Sequence, residues 1–84
     1  MKVLYFAWLR DFIGTGEETL DALPPQITTV CDLMGWLSGR GPAYARAFAD
    51  PALVRCAVDQ DFAGLDVEVT GAREVAFFPP VTGG

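Results

Sequence analysis

The sequence contains no histidine, the side chain that most often moves protons or binds metal near neutral pH. A self-contained acid–base enzyme is disfavoured by that absence, and no metal site is expected. Positive charge is also scarce: six Lys and Arg residues, scattered singly, face eleven Asp and Glu for a net charge of −5. Neutralising phosphates requires a basic face, so nucleic acid is not expected as a partner. The acidic balance suits a protein with a basic surface instead. The two cysteines, Cys31 and Cys56, form no C-x-x-C pair, which excludes a zinc knuckle and a dithiol redox motif. Both read as reduced, buried thiols packed as small hydrophobes. The apolar run "VLYFAWL", Val3 to Leu9, is too short to span a bilayer and meets Arg10-Asp11 with no small-residue cleavage signal, so no membrane association and a cytoplasmic location are expected. There is no G-x-x-x-x-G-K-[ST] loop, hence no nucleotide cradle of the chain's own.

What is present is apolar. Half of the 84 residues are hydrophobic (51%) and a fifth are charged (20%), which favours one folded domain with a single modest core. A chain this small has no second lobe with which to build a deep cleft, so function is expected at a surface or a terminus.

Lys2 to Leu9 is rich in aromatic and β-branched residues and reads as the first strand. Alternation places Val3, Tyr5, Ala7 and Leu9 on one side and Leu4, Phe6 and Trp8 on the other. With both sides apolar, the strand is either central and covered twice, or its second face meets another protein. Gly14 and Gly16 mark a turn, and "EETLDAL" (Glu17 to Leu23) offers a second strand before Pro24-Pro25. In "TTVCDLMGWLSGRG", Thr28 or Thr29 can cap a helix whose apolar stripe is Val30, Leu33, Met34 and Leu37, with Gly39 and Gly41 ending it. A short helix over Pro42 to Asp50 pairs Tyr44 with Phe48 and stops at Pro51. "LVRCAVD" (Leu53 to Asp59), "LDVEVT" (Leu65 to Thr70) and "REVAFF" (Arg73 to Phe78) read as three further strands. A hairpin, a crossing helix and more strands imply an α+β fold, a mixed sheet wrapped on one main helix. The body is expected over residues 1–78 and an extended tail over 79–84.

The end of the sequence, "FFPPVTGG", carries the functional signal. Phe77 and Phe78 must point to opposite faces of the last strand, so at most one enters the core there and the other covers the opposite face or meets a partner. Pro79 and Pro80 fix φ and direct the chain outward in an extended path. Gly83 and Gly84 lack Cβ atoms and can thread a narrow channel, leaving the terminal carbonyl open to attack. A carboxylate is a poor electrophile until activated; as an acyl-adenylate formed with ATP it accepts a sulfur or amine nucleophile.

The segments "VLYFAWLRDFIGT", "TTVCDLMGWL", "LVRCAVDQ" and above all "REVAFFPPVTGG" resemble the small, ubiquitin-like subunit of molybdopterin synthase, a β-grasp sulfur carrier, over nearly the whole chain. The resemblance implies that Gly84 is the reactive residue, adenylated by a ubiquitin-activating-like enzyme that uses ATP and converted to a thiocarboxylate with sulfur from a donor protein. This thiocarboxylate then gives sulfur to a cyclic pterin precursor held by the large subunit, in a heterotetramer of two small and two large chains. It also implies that catalytic side chains belong to the large subunit and that this chain binds no cofactor. The apolar side of the sheet and the extended tail make Phe6, Trp8, Phe77 or Phe78, Pro79, Pro80, Val81, Thr82 and Gly83 the expected partner contacts. The family often has Val-Asn-Gln where this chain has Val58-Asp59-Gln60, and an acidic residue where it has Arg73. No contact is carried over to Asp59 or Arg73. The other readings of a Gly-Gly end are a carrier for thiamine, tRNA thiolation or cysteine synthesis, a modifier conjugated to lysines, and a ubiquitin-like module that binds without chemistry.

Overall fold

The computed structural model describes residues 1–80. Five strands, β1 (Lys2–Tyr5), β2 (Glu17–Thr19), β3 (Arg55–Val58), β4 (Asp61–Ala63) and β5 (Glu74–Phe78), form one sheet in the order β2-β1-β5-β3-β4. The first and last strands lie side by side and parallel, while the β1–β2, β3–β5 and β3–β4 pairs are antiparallel. Three helices, α1 (Ala7–Ile13), α2 (Val30–Ser38) and α3 (Pro42–Ala47), and one 3-10 turn (Pro51–Leu53) fill the connections. The architecture is the α+β arrangement that the order of elements implied.

Strand register assembles the core in rows. Val3, Val75 and Val58 lie across β1, β5 and β3 in one row, and Tyr5, Phe77 and Cys56 in the next. Against these inward residues pack Val30, Leu33, Met34 and Leu37, the α2 stripe, all of them buried. Phe77 stacks on Tyr5 at 6.4 Å and meets the edge of Phe48 at 5.1 Å, so three aromatic rings share the centre.

Helix α2 begins where Thr29 caps it, with Thr29 Oγ1 accepting from the Asp32 amide while the Asp32 side chain accepts from the Thr29 amide. The next unsatisfied amides, on Val30 and Cys31, donate to the carbonyls of Val67 and Leu65 at 2.9 Å. That contact explains a correction. "LDVEVT" alternates like a strand, yet residues 65–70 run past the start of α2 and keep only an isolated bridge, Thr29 to Glu68. The fourth strand comes earlier. Asp59 and Gln60 both take positive φ (48° and 74°), making the two-residue turn that returns the chain at once, with Val58 opposite Asp61.

A second correction concerns Trp8. The first strand stops at Tyr5, and Ala7 takes φ 53°, turning the chain into α1. The signal was present as helical spacing: Trp8 and Phe12 stack edge to face at 6.0 Å, and Gly14 closes the helix in the left-handed region (φ 91°) with its amide on the Arg10 carbonyl. Seven unbroken apolar residues masked it. Strand β2 is likewise shorter than expected, ending at Thr19. Cys56 is buried as expected, whereas Cys31 is exposed, because it falls beside Val30 and off the α2 stripe.

One polar cluster ties the edge strand to the helical layer. The Glu18 carboxylate accepts hydrogen bonds from the Tyr5 and Tyr44 hydroxyls, each at 2.8 Å, and from Arg40 at 2.6 Å. The Arg40 guanidinium also lies over the rings of Tyr44 and Trp36, 4.9 and 5.3 Å from their centroids. Burial pushes the Glu18 carboxyl up, but the hydrogen bonds from Arg40, Tyr5 and Tyr44 outweigh it and hold the group below the usual glutamate range. A carboxyl with a depressed folded pKa stabilises the fold above its unfolded pKa and loses that contribution as pH falls through the folded value. Glu18→Gln is therefore expected to lower the melting temperature at pH 7 by about 6–24 °C, since a hydrogen bond to a charged group contributes ~1.5–3 kcal/mol. The gap to the parent should narrow as pH drops below the ordinary glutamate pKa of about 4.3. Scanning calorimetry between pH 7 and pH 3 checks both.

Exposure separates the aromatics by role. Phe77 is 0% exposed and Phe62 is 87% exposed. In urea titrations, Phe77→Ala is expected to cost ~3–5 kcal/mol through the cavity it leaves, and Phe62→Ala to stay within ~0.5 kcal/mol of the parent.

Candidate functional site

The sheet has two faces, and the helices cover one. On the other, the register aligns Leu4, Ala76, Ala57 and Phe62 in one row across β1, β5, β3 and β4. The two central alanines keep that row low between the larger flanking side chains. The next row toward the end of β5 holds Phe78 with Arg55 opposite it, and Phe6, extended at φ −120° and ψ 156°, continues the same side of β1. In the opposite direction the face turns polar, with Lys2 opposite Glu74 and Thr19 and an ion pair from Lys2 to Glu17 at 3.5 Å. Apolar surface is thus concentrated at the end from which the chain leaves the sheet.

Because β1 and β5 are parallel, Phe6 and Phe78 emerge at that same end. The amide of Phe6 donates to the Phe77 carbonyl at 3.1 Å, and the ladder closes there. Phe6 is 48% exposed; Phe78, Pro79 and Pro80 are half-buried. Phe78 tilts against Phe62, ring centroids 5.9 Å apart. Pro80 lines a groove with Arg55, Phe62, Gly64 and Phe78. Phe6, Phe78, Pro79 and Pro80 are therefore brought together.

Two of the residues expected to touch partners are placed elsewhere. Phe77 is wholly in the core, because alternation gives Phe78 the open face and Phe77 the α2 side; its ring holds the fold and is not presented to a partner. Trp8 sits on α1 and lines a second apolar groove with Phe12, Ala47 and Leu53, off the sheet face on which strand periodicity put it. The expected positions Val81, Thr82, Gly83 and Gly84 lie outside the described residues. Phe62 was missed. Its signal was the "VDQDFA" hairpin, where the Asp59-Gln60 turn sets Ala57 opposite Phe62, but the competing alternation of "LDVEVT" drew the strand four residues downstream.

Asp59 proves to be a structural residue. Its Oδ1 accepts from the amides of Arg73 and Glu74 at 2.9 and 3.0 Å, fastening the start of β5 and hence the position of everything that follows it. The body itself offers little reactive chemistry. Burial pushes the Cys56 thiol up to about 12, which keeps it an unreactive thiol. Among the described residues no group of three His, Cys, Asp or Glu side chains could hold a metal ion.

Known proteins share this framework. Residues 3–84 match the family described as the ThiS family. The chain is 39% identical over 84 residues to a molybdopterin synthase sulfur carrier subunit from Escherichia coli and 33% identical to another from Haemophilus influenzae, covering 100% of this chain and 99% of each relative. Among solved structures, SAMP1 from Haloferax volcanii aligns over 100% of this chain and 98% of its own, with a TM-score of 0.72 and 29% identity. A putative molybdopterin converting factor subunit 1 from Pyrococcus furiosus aligns over 95% of both chains with a TM-score of 0.62 and 25% identity. The β-grasp reading of the fold agrees with these neighbours. From the amino-terminal strand to the final glycine pair, this chain belongs to the ThiS family.

Proposed function

We propose that this chain is the sulfur-carrier subunit of a molybdopterin synthase, working in the cytoplasm as the small partner of a large subunit in a heterotetramer of two of each. The observation that carries the reading is the likeness to two molybdopterin synthase sulfur carrier subunits over the whole of this chain and 99% of each relative. The open sheet face supports it: a carrier must dock on one protein after another and deliver a narrow end, and the apolar end of that face is where Pro79-Pro80 leaves the fold.

In this mechanism the Gly84 carboxylate oxygen attacks the α-phosphorus of ATP on an adenylating enzyme and pyrophosphate departs. Hydrosulfide released by a donor protein then adds to the acyl carbon, AMP leaves with its oxygen, and loss of the S–H proton leaves the terminus a thiocarboxylate. On the large subunit the thiocarboxylate sulfur bonds to the cyclic pterin precursor, water hydrolyses the resulting acyl–sulfur bond, the sulfur stays on the precursor and the Gly84 carboxylate returns for another cycle. This chain contributes the acyl group and the docking surface, and the large subunit the catalytic side chains and the precursor's binding site.

Binding strength then has to come from the face. A tail of prolines and glycines with Val81 and Thr82 carries little apolar side chain, which leaves Phe6, Phe62 and Phe78 as the anchors.

Intact-mass measurement after incubation with an adenylating enzyme, ATP and a sulfur donor tests the chemistry. The expected product has one oxygen exchanged for sulfur; an unchanged mass would favour a module that binds without chemistry. One residue added after Gly84 should abolish the exchange and leave the melting temperature unaltered, and exchange on the extended chain without trimming would refute the assignment of Gly84. Isothermal titration with the large subunit tests the anchors. Phe78→Ala is expected to lose more affinity than deletion of Gly83-Gly84, although only the deletion must abolish transfer.

A further inference from the structure

Four of the six cations, Arg10, Arg46, Arg55 and Arg73, make no ion pair among the described residues; Lys2 and Arg40 make the two that exist. Arg46 also lines an apolar groove, with Trp8 and Phe12, but of these four only Arg55 stands on the open sheet face. It is the outward residue of β3 directly opposite Phe78, and it lines, with Phe62, Gly64, Phe78 and Pro80, a groove of ≈490 Å³ at the point where the chain leaves the sheet. A guanidinium on an open surface is solvated at no cost. One set beside two aromatic rings on a face that a partner covers is stripped of water when the face docks, and burying a cation without an anion is strongly unfavourable.

We infer that this groove accepts from the large subunit an apolar side chain flanked by a carboxylate, and that Arg55 pairs with that carboxylate and so determines which large subunits the chain accepts. The apolar group lies against Phe62 and Phe78, and the carboxylate meets the guanidinium fork at the groove's β3 wall, where two parallel N–H donors can be used. The charge pattern gives the pair its selective value. The chain as a whole carries −5 and draws basic surfaces, so a partner docked in the wrong register would bring positive charge onto Arg55 and be repelled. An anion at one place on an otherwise basic partner surface fixes the register. The inference rests on the sulfur-carrier reading and adds to it the chemistry of the contact.

The test is isothermal titration of the full chain with its large subunit at two ionic strengths, using Arg55→Met, Arg55→Glu and Phe78→Ala, with a thermal melt of each. The Arg55 variants should melt like the parent, since Arg55 is exposed. Arg55→Met is expected to bind about tenfold more weakly than the parent and to show a shallower loss of affinity with salt. Arg55→Glu should bind about a hundredfold more weakly, because repulsion is added to the lost pair. If Arg55→Glu binds within threefold of the parent while Phe78→Ala is clearly weakened, the face docks but Arg55 does not select, and this inference fails alone. Tighter binding by Arg55→Met would also overturn it, by showing that the guanidinium is buried without an anion. A parent chain that does not bind the large subunit would remove the sulfur-carrier reading and this inference together.

Discussion

The parallel pairing of β1 with β5 at the centre of the sheet is the constraint on which the remainder depends. It is made from the two ends of the described chain, Lys2–Tyr5 and Glu74–Phe78, so the domain closes only when both are in place. Two contacts flank it: the amide of Phe6 on the Phe77 carbonyl closes the β1–β5 ladder, and the Asp59 carboxylate takes the amides of Arg73 and Glu74, fastening the start of β5 to the turn after β3. Once the register is fixed, alternation leaves no choice about the last two strand residues. Phe77 goes to the core and Phe78 to the open face.

That one division joins stability to function. The buried ring stacks on Tyr5 and meets the edge of Phe48, and Tyr5 in turn donates to Glu18, which Arg40 and Tyr44 also hold. A chain of contacts thus runs from the final strand through the aromatic centre to the polar cluster at the β2 edge. The outer ring, one residue later, faces the other way and shares its surface with Phe62, Arg55 and Pro80. A fixed strand end sets where Pro79 and Pro80 leave the sheet.

The open face also resolves the ambiguity of an apolar first strand. Val3 and Tyr5 are covered by helices, while Leu4 belongs to the row with Ala76, Ala57 and Phe62, over which no helix or strand of the described residues lies. The strand is central and covered once; its second side is available to a partner. Lys2 and Glu74 make the other end of the same face polar, and Glu17, at the β2 end of the Leu4 row, pairs with Lys2; the apolar surface is the half nearest the tail.

The sequence alone determined those features that depend on near neighbours. The α2 stripe and its Thr29 cap, the last strand, and the opposed directions of Phe77 and Phe78 were legible because each is set by periodicity or backbone chemistry within a few residues. Tertiary structure decided what local patterns left degenerate. Seven consecutive apolar residues satisfy strand and helix alike, and only the end of the β1 ladder at Phe6 and the turn at Ala7 made Trp8 helical. "DFA" and "LDVEVT" compete for one place beside β3; the Asp59-Gln60 turn gave it to the first, and the unsatisfied amides of Val30 and Cys31 drew the second to the start of α2. Phe62 and Arg55 became parts of a surface through pairing between strands distant in sequence. No local spacing encodes that pairing, because hydrogen-bond partners across a sheet are chosen by the whole fold.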